Sequence, residues 1–262
     1  MSDAVYPDFE RREVTLLGQT RTVFVKGEGR AVLVMHEVPG LHPAVADFAR
    51  RVVDAGFSVY MPSLFGTPGR ALGPMYSLST IARACVASEF TMFATKKSSA
   101  AIDWLRALAK RAHEERGGPG VGAIGMCFTG GFALAMMVDD RMLAPVLSQP
   151  SLPVPLTAAQ KRDVGLDDAT LARVKERAAQ GACVMGLRFT GDRLVPDERF
   201  ARLREELGDA FIAVEIDSRP GNPHGFGPTA HSVLATHYDD TPGHPTRAAL
   251  ERVIEFYRER LR

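Results

Sequence analysis

The sequence predicts an α/β architecture: a mostly parallel central sheet with helices on both faces, in a single domain spanning residues 1–262. Three observations predict it. Short, continuous apolar runs, as produced by strands buried on both faces, alternate with segments whose apolar residues recur at helical spacing. The first alternation, strand–helix–strand within about thirty residues, is a βαβ unit, and its crossover makes the two strands parallel. The composition, 45% hydrophobic and 24% charged over 262 residues, is that of one ordinary globular body without repeats or linkers.

Residues 15–26, with Gly18 near the start, read as a hairpin that opens the fold, so that residues 1–30 pack on the same domain. Ala31 to Met35 (AVLVM) is the first fully apolar strand, and it ends in the polar, turn-rich His36-Glu37-Val38-Pro39-Gly40. Val45, Phe48, Ala49, Val52 and Val53 mark a helix over residues 43–55, which Gly56 stops. Residues 57–61 form the next strand, and residues 63–78 a Gly- and Pro-rich loop placed where function often resides. Residues 99–116 make an amphipathic helix with Ile102, Leu105, Leu108 and Ala109 buried and Lys110, Arg111, Glu114 and Glu115 wet. After the break at residues 117–120, a strand over 121–126 runs directly into a helix over 130–138. Residues 144–148, 184–190 and 212–216 are further strands; a charged helix over 168–179, capped by Asp167 or Asp168, precedes the second of these. An amphipathic helix over 246–261 closes the chain.

The charge balance narrows the function classes. Lys+Arg 32 against Asp+Glu 31 leaves a net +1, without the basic excess that nucleic-acid binding needs. No uncharged apolar run is long enough to span a membrane. The first residues carry Asp3, Asp8 and Glu10 and no apolar stretch, so no secretion signal is expected. Three cysteines point to free thiols in a reducing compartment, and the expected location is cytoplasmic.

The chemistry concentrates in Gly125-Met126-Cys127-Phe128-Thr129-Gly130-Gly131. A strand enters a helix through one turn with a cysteine at its apex and small residues on both sides, the spacing of a nucleophile elbow. A sharp turn lifts the side chain above the sheet, and the following helix aims free N–H groups and its positive dipole end at the sulfur, which favours a thiolate. The backbone N–H of Phe128 is then an oxyanion donor. Cys85 and Cys183 lack the flanking glycines and read as ordinary buried residues. Gly120, Gly122 and Gly125 match a dinucleotide-binding pattern literally, but they lie within the strand instead of after it. His36-Glu37 lacks the second histidine of a zinc site, so neither metal nor cofactor is expected.

A nucleophilic cysteine needs a histidine and an acid to orient it. Asp192 follows the apolar run 184–190 through the turn residue Gly191. After the strand at 212–216 come His224, in Pro223-His224-Gly225-Phe226, and His231, in Ala230-His231-Ser232; either can serve as base. His42, His113, His237 and His244 read as solvated.

Taken together, elbow Cys127, Asp192 within D-x-x-V-P, a late histidine and H-E-V-P-G-L at residues 36–41 resemble the dienelactone hydrolase family of the α/β-hydrolase fold. The resemblance runs from about residue 31 to the C-terminus, with Thr129 where the family elbow carries glycine. It implies that Glu37 pairs with the resting thiol and helps to deprotonate it, and that the N–H of Val38 is the second oxyanion donor. It favours His224, set in H-G-F after a P-G turn, over the alternate His231. It also implies an arginine that grips a substrate carboxylate, for which Arg83 lies in the right region. The function expected is hydrolysis of small carboxylic esters or lactones by a Cys-His-Asp triad through an acyl-thioester. The alternatives are a thioesterase or general carboxylesterase with the same site, or a catalytically inactive thiol or binding module. The partner is a small-molecule ester or lactone, not nucleic acid or membrane.

Overall fold

The computed structural model describes residues 5–71, 73, 80, 100–152 and 156–262. Among them, eight strands form one sheet: β1 (Glu10–Leu16), β2 (Gln19–Lys26), β3 (Ala31–Met35), β4 (Ser58–Pro62), β5 (Val121–Met126), β6 (Met142–Ser148), β7 (Val184–Phe189) and β8 (Phe211–Ile216). Their spatial order is β1-β2-β4-β3-β5-β6-β7-β8. The pairings from β4 through β3 to β8 are parallel, and only β1–β2 and β2–β4 are antiparallel. The α/β fold that the apolar runs predict is the one observed.

The opening hairpin turns through Leu17 (φ 50°) and Gly18 (φ 76°), between the paired residues Leu16 and Gln19. Positive φ at both loop positions matches the right-handed twist of the flanking strands. The hairpin begins at Glu10, earlier than the sequence suggests, because residues 10–14 are mostly exposed and lack an apolar run.

Each parallel strand divides its side chains between two cores. Leu33, Met35 and Ala123 pack with α2 (Ala100–Arg116), α3 (Gly130–Met136), α5 (Asp168–Ala179) and α6 (Asp197–Leu207) on one face. Val32, Val34, Ile124 and Met126 pack with α1 (Pro43–Asp54) and α7 (Pro245–Arg260) on the other. Asp167 caps α5, its side chain accepting from Thr170 N at 2.7 Å. Two helices were not anticipated. The short α4 (Ala158–Arg162) buries no residue, and α6 carries its apolar face on only Phe200, Leu203 and Leu207 amid charged neighbours.

The strands β3, β5, β6 and β7 lie side by side, and their C-terminal ends deliver Glu37, Cys127, Gln149 and Asp192 to one rim of the sheet. That rim is where open parallel sheets bind ligands. Residues 72 and 74–78 of the proposed loop, and Arg83, fall outside the described residues, as does Cys85. Among the described residues no helix is long and apolar enough to cross a membrane.

Candidate active site

β5 ends at Met126 in extended conformation, and Cys127 then takes φ 55°, a left-handed conformation that a residue with a side chain adopts only at a cost. A single 3-10 turn, Cys127–Thr129, leads into α3. The glycines around it are there for room. A Cβ on Gly125 would lie 2.0 Å from the carbonyl oxygen of Thr129, and one on Gly130 would lie 2.6 Å from the Cα of Pro150. Thr129, which stands where the family pattern has glycine, stitches the turn together. Its Oγ1 accepts from Met126 N at 2.9 Å and lies 3.1 Å from Met35 O and 3.2 Å from His36 O, each able to accept its proton. The elbow is thereby tied to the end of β3.

Asp192 is buried just past β7. Its Oδ1 accepts from Leu194 N at 2.9 Å, and its Oδ2 lies 2.6 Å from Nδ1 of His231. The second ring nitrogen, Nε2, is sealed from solvent and, among the described residues, has no partner at full hydrogen-bond geometry. The Cys127 sulfur is the group that acts on it. Burial disfavours the imidazolium, but the charge of Cys127 and the hydrogen bonds with Asp192 and Cys127 outweigh burial and hold the ring well above the usual histidine value. Asp192, the His231 ring and Cys127 thus form one electrostatically coupled group.

The structure brings His231, and not His224, to Asp192. His224 is exposed, beside the rings of His244 (5.4 Å between centroids) and Phe226 (6.0 Å), in an open groove of about 330 Å³ between β8 and α7. The cause is local: Asn222 Oδ1 accepts from His224 N (3.2 Å) and Phe226 N (2.9 Å), closing a tight turn that throws the ring outward. The chain needs the further residues up to 230 to return to the rim, and His231 is the imidazole that arrives there.

Glu37 is buried but is not bonded to Cys127 among the described residues. Its Oε1 accepts from Ser232 Oγ (2.8 Å) and His42 Nε2 (3.0 Å), and its Oε2 accepts from Gln149 Nε2 (2.8 Å). Burial pushes its carboxyl up, yet the His42 bond and the charges of His42 and His231 win and keep it below the usual glutamate range. His42 is thus a buried partner of Glu37, not the solvated residue its loop setting suggested. The sign was its place five residues past Glu37, immediately before the Pro43 that starts α1. Gln149 carried no sequence signal beyond standing at a strand end.

Val38 follows Glu37 in the turn after β3, and Phe128 follows Cys127 in the elbow. The Phe128 ring packs edge-on against Phe65 (6.0 Å) and Phe132 (5.7 Å), so the wall next to the sulfur is aromatic. Among the described residues no group of three or more His, Cys, Asp or Glu is arranged to hold a metal ion.

His36 supports the same turn. Nε2 accepts from Leu64 N at 3.0 Å, Nδ1 donates to Glu37 O at 3.0 Å, and burial pushes the ring down to about 4. An unfolded imidazole protonates below about 6.5, whereas this one stays neutral until about 4, so between those values the unfolded chain holds the extra proton. Stability is full above about 6.5 and falls as the pH drops toward 4, by roughly 3 kcal/mol in total from this ring. Urea midpoints measured across that range should decline accordingly in the parent, and less steeply in His36→Gln; parallel curves would remove His36 from the acid response.

Comparison with known proteins gives the same direction. The model of the family described as "Dienelactone hydrolase family" matches residues 19–261. Among solved structures, a dienelactone hydrolase-like promiscuous phosphotriesterase, P91, from metagenomic libraries superposes with a TM-score of 0.63 at 19% identity, covering 97% of this chain and 98% of that one. The protein m3DLH gives 0.62 at 19% identity, over 97% and 100%. Est1E from Butyrivibrio proteoclasticus gives 0.54 at 12% identity, over 95% and 98%. At these identities the likeness is one of fold. No curated protein matches the chain.

Proposed function

The chain belongs to the dienelactone hydrolase family, and on that premise we propose that it hydrolyses small carboxylic esters or lactones by covalent catalysis at Cys127. One observation carries this reading. His231, bonded to buried Asp192 at 2.6 Å through Nδ1, keeps a solvent-free Nε2 and is electrostatically coupled to Cys127, which is held in a left-handed elbow.

The chemistry follows from the protonation states. With the proton on His231, the Cys127 sulfur is the nucleophile and adds to the substrate carbonyl. The oxyanion is held by the backbone N–H groups of Phe128 and Val38, each contributing about 10²–10³ in rate. Nε2–H of His231 then protonates the departing alkoxide, the C–O bond breaks, and an acyl-thioester remains. Water gives a proton to Nε2 and adds to the thioester carbonyl; the C–S bond breaks and the acid leaves. Asp192 accepts from Nδ1 throughout, fixing the tautomer and favouring the charged ring. Nothing in these steps draws on a cofactor. An aromatic wall of Phe65 and Phe128 suits an apolar acyl group.

The test is a chromogenic ester under pre-steady-state conditions. A burst of alcohol equal to the enzyme concentration, with the acyl mass found on the peptide containing Cys127, is the expected result. Turnover without a burst, or the acyl group on another residue, would remove the thioester from the mechanism.

A further inference from the structure

Gln149 plays no part in the steps above, yet it occupies an unusual place. It follows β6, is fully buried and takes φ 37°, an uphill conformation for a residue that is not glycine. The direction of its amide is settled by partners of fixed polarity. Val233 N can only donate and lies 3.3 Å from Oε1; Glu37 Oε2 accepts and lies 2.8 Å from Nε2. Ser148 Oγ donates to Oε1 as well.

The partners converge on one short segment. Ser232 and Val233 directly follow His231; Gln149 holds Val233, and Glu37, itself held by Gln149, accepts from Ser232 Oγ at 2.8 Å and from the more distant Thr236 Oγ1 at 3.4 Å. The same segment of Gln149 also reaches the nucleophile: Ser151 donates from Oγ to Gln149 O (3.1 Å) and from N to Cys127 O (3.0 Å). One amide side chain and one carboxylate therefore grip the chain beside the base, while Asp192 grips the ring itself.

We propose that Gln149 is a positioning residue for the base: through Val233 and Glu37 it fixes the segment that sets His231 against Cys127. In this arrangement Glu37 accepts from Gln149, His42 and Ser232. The inference rests on the Cys127–His231 reading given above.

Two substitutions test it. Gln149→Leu removes both bonds and should lower kcat about 10- to 100-fold at every pH, the scale expected from a misplaced catalytic group, with KM within about twofold. Gln149→Glu keeps the shape. When protonated it still donates to Glu37 and accepts from Val233; when ionised it sets a second carboxylate against Glu37 Oε2. Its kcat, taken as a ratio to the parent, should be near one at about pH 5.5 and fall at least about tenfold by pH 8, because two carboxylates at such a distance cannot both ionise freely. The other ionisable groups facing Glu37 are His36 beside it, His42 before α1, and His231 and His237 after β8, all present in both proteins. If Gln149→Leu does not fold, the pH-dependent recovery of Gln149→Glu decides alone.

A second readout separates this inference from the hydrolase reading. Alkylation of Cys127 by iodoacetamide, followed by peptide mass, reports the thiol–imidazole pair without any ester. It should slow in Gln149→Leu at pH 7. If it slows while the parent hydrolyses no ester, the positioning role stands and the hydrolase reading falls. If kcat and alkylation rate per folded molecule match the parent in the substituted proteins, Gln149 is a packing residue and the inference is overturned.

Discussion

His231→Gln should lower kcat on a chromogenic ester by about 10³- to 10⁴-fold, while His224→Gln should leave it within about twofold. Both imidazoles follow β8, and local sequence favours His224, which sits in the H-G-F setting. Geometry decides otherwise. His231 shares a 2.6 Å contact with Asp192, has its far nitrogen sealed from solvent and is coupled to Cys127, whereas His224 is exposed beside His244. In the proposed mechanism, removing His231 takes away the proton carrier and the positive charge beside the sulfur in one step. Cys127→Ala should be as severe, and the double substitution no worse than either single one, because the two groups act as a unit. Melting temperatures should be little changed, which separates lost chemistry from lost fold. A large loss in His224→Gln with a silent His231→Gln would reverse the assignment.

Gly125→Ala should destabilise the fold by about 3 kcal/mol or more, a methyl group being among the smallest changes available. The added carbon would lie 2.0 Å from Thr129 O, 2.6 Å from Thr129 C and 2.9 Å from Gly130 Cα. All three are backbone atoms of the elbow and cannot rotate aside. Relief would need α3 to move off the end of β5, and α3 is buried along its whole length. Gly227→Ala is the matched control. A Cβ there meets nothing within 4 Å, so the change should fall within about 0.5 kcal/mol. Equal urea midpoints for the two variants would show that the elbow yields more easily than its packing implies.

The strands and the elbow were legible because their signals are local. AVLVM and VGAIGM are unbroken apolar runs, and the turn around Cys127 needs small residues within a few positions of the cysteine. Asp192 was legible for the same reason, standing just past a strand end. His231 is less legible, because its placement depends on how far a loop must run before it regains the rim of the sheet, and no short window encodes that distance. The Glu37 cluster was hidden more deeply. His42, Gln149 and Ser232 come from three separate segments, and each alone reads as a routine polar residue. What identifies them is mutual satisfaction of buried polar atoms, a property of the folded chain only. The α6 helix was missed because charged residues outnumber its few buried apolar ones.

Arg199, at the start of α6, is almost completely buried, and it donates to Pro150 O (2.9 Å), Gln160 O (3.2 Å), Asp163 O (2.7 Å) and Leu194 O (3.0 Å). A single guanidinium thus rivets three stretches of chain, one of them running from Asp192 itself. For anyone redesigning this scaffold, the segment around residues 156–166 cannot be swapped as an independent cassette: a graft that misplaces those carbonyls strands a cation in the interior and loosens the acid's footing from a distance.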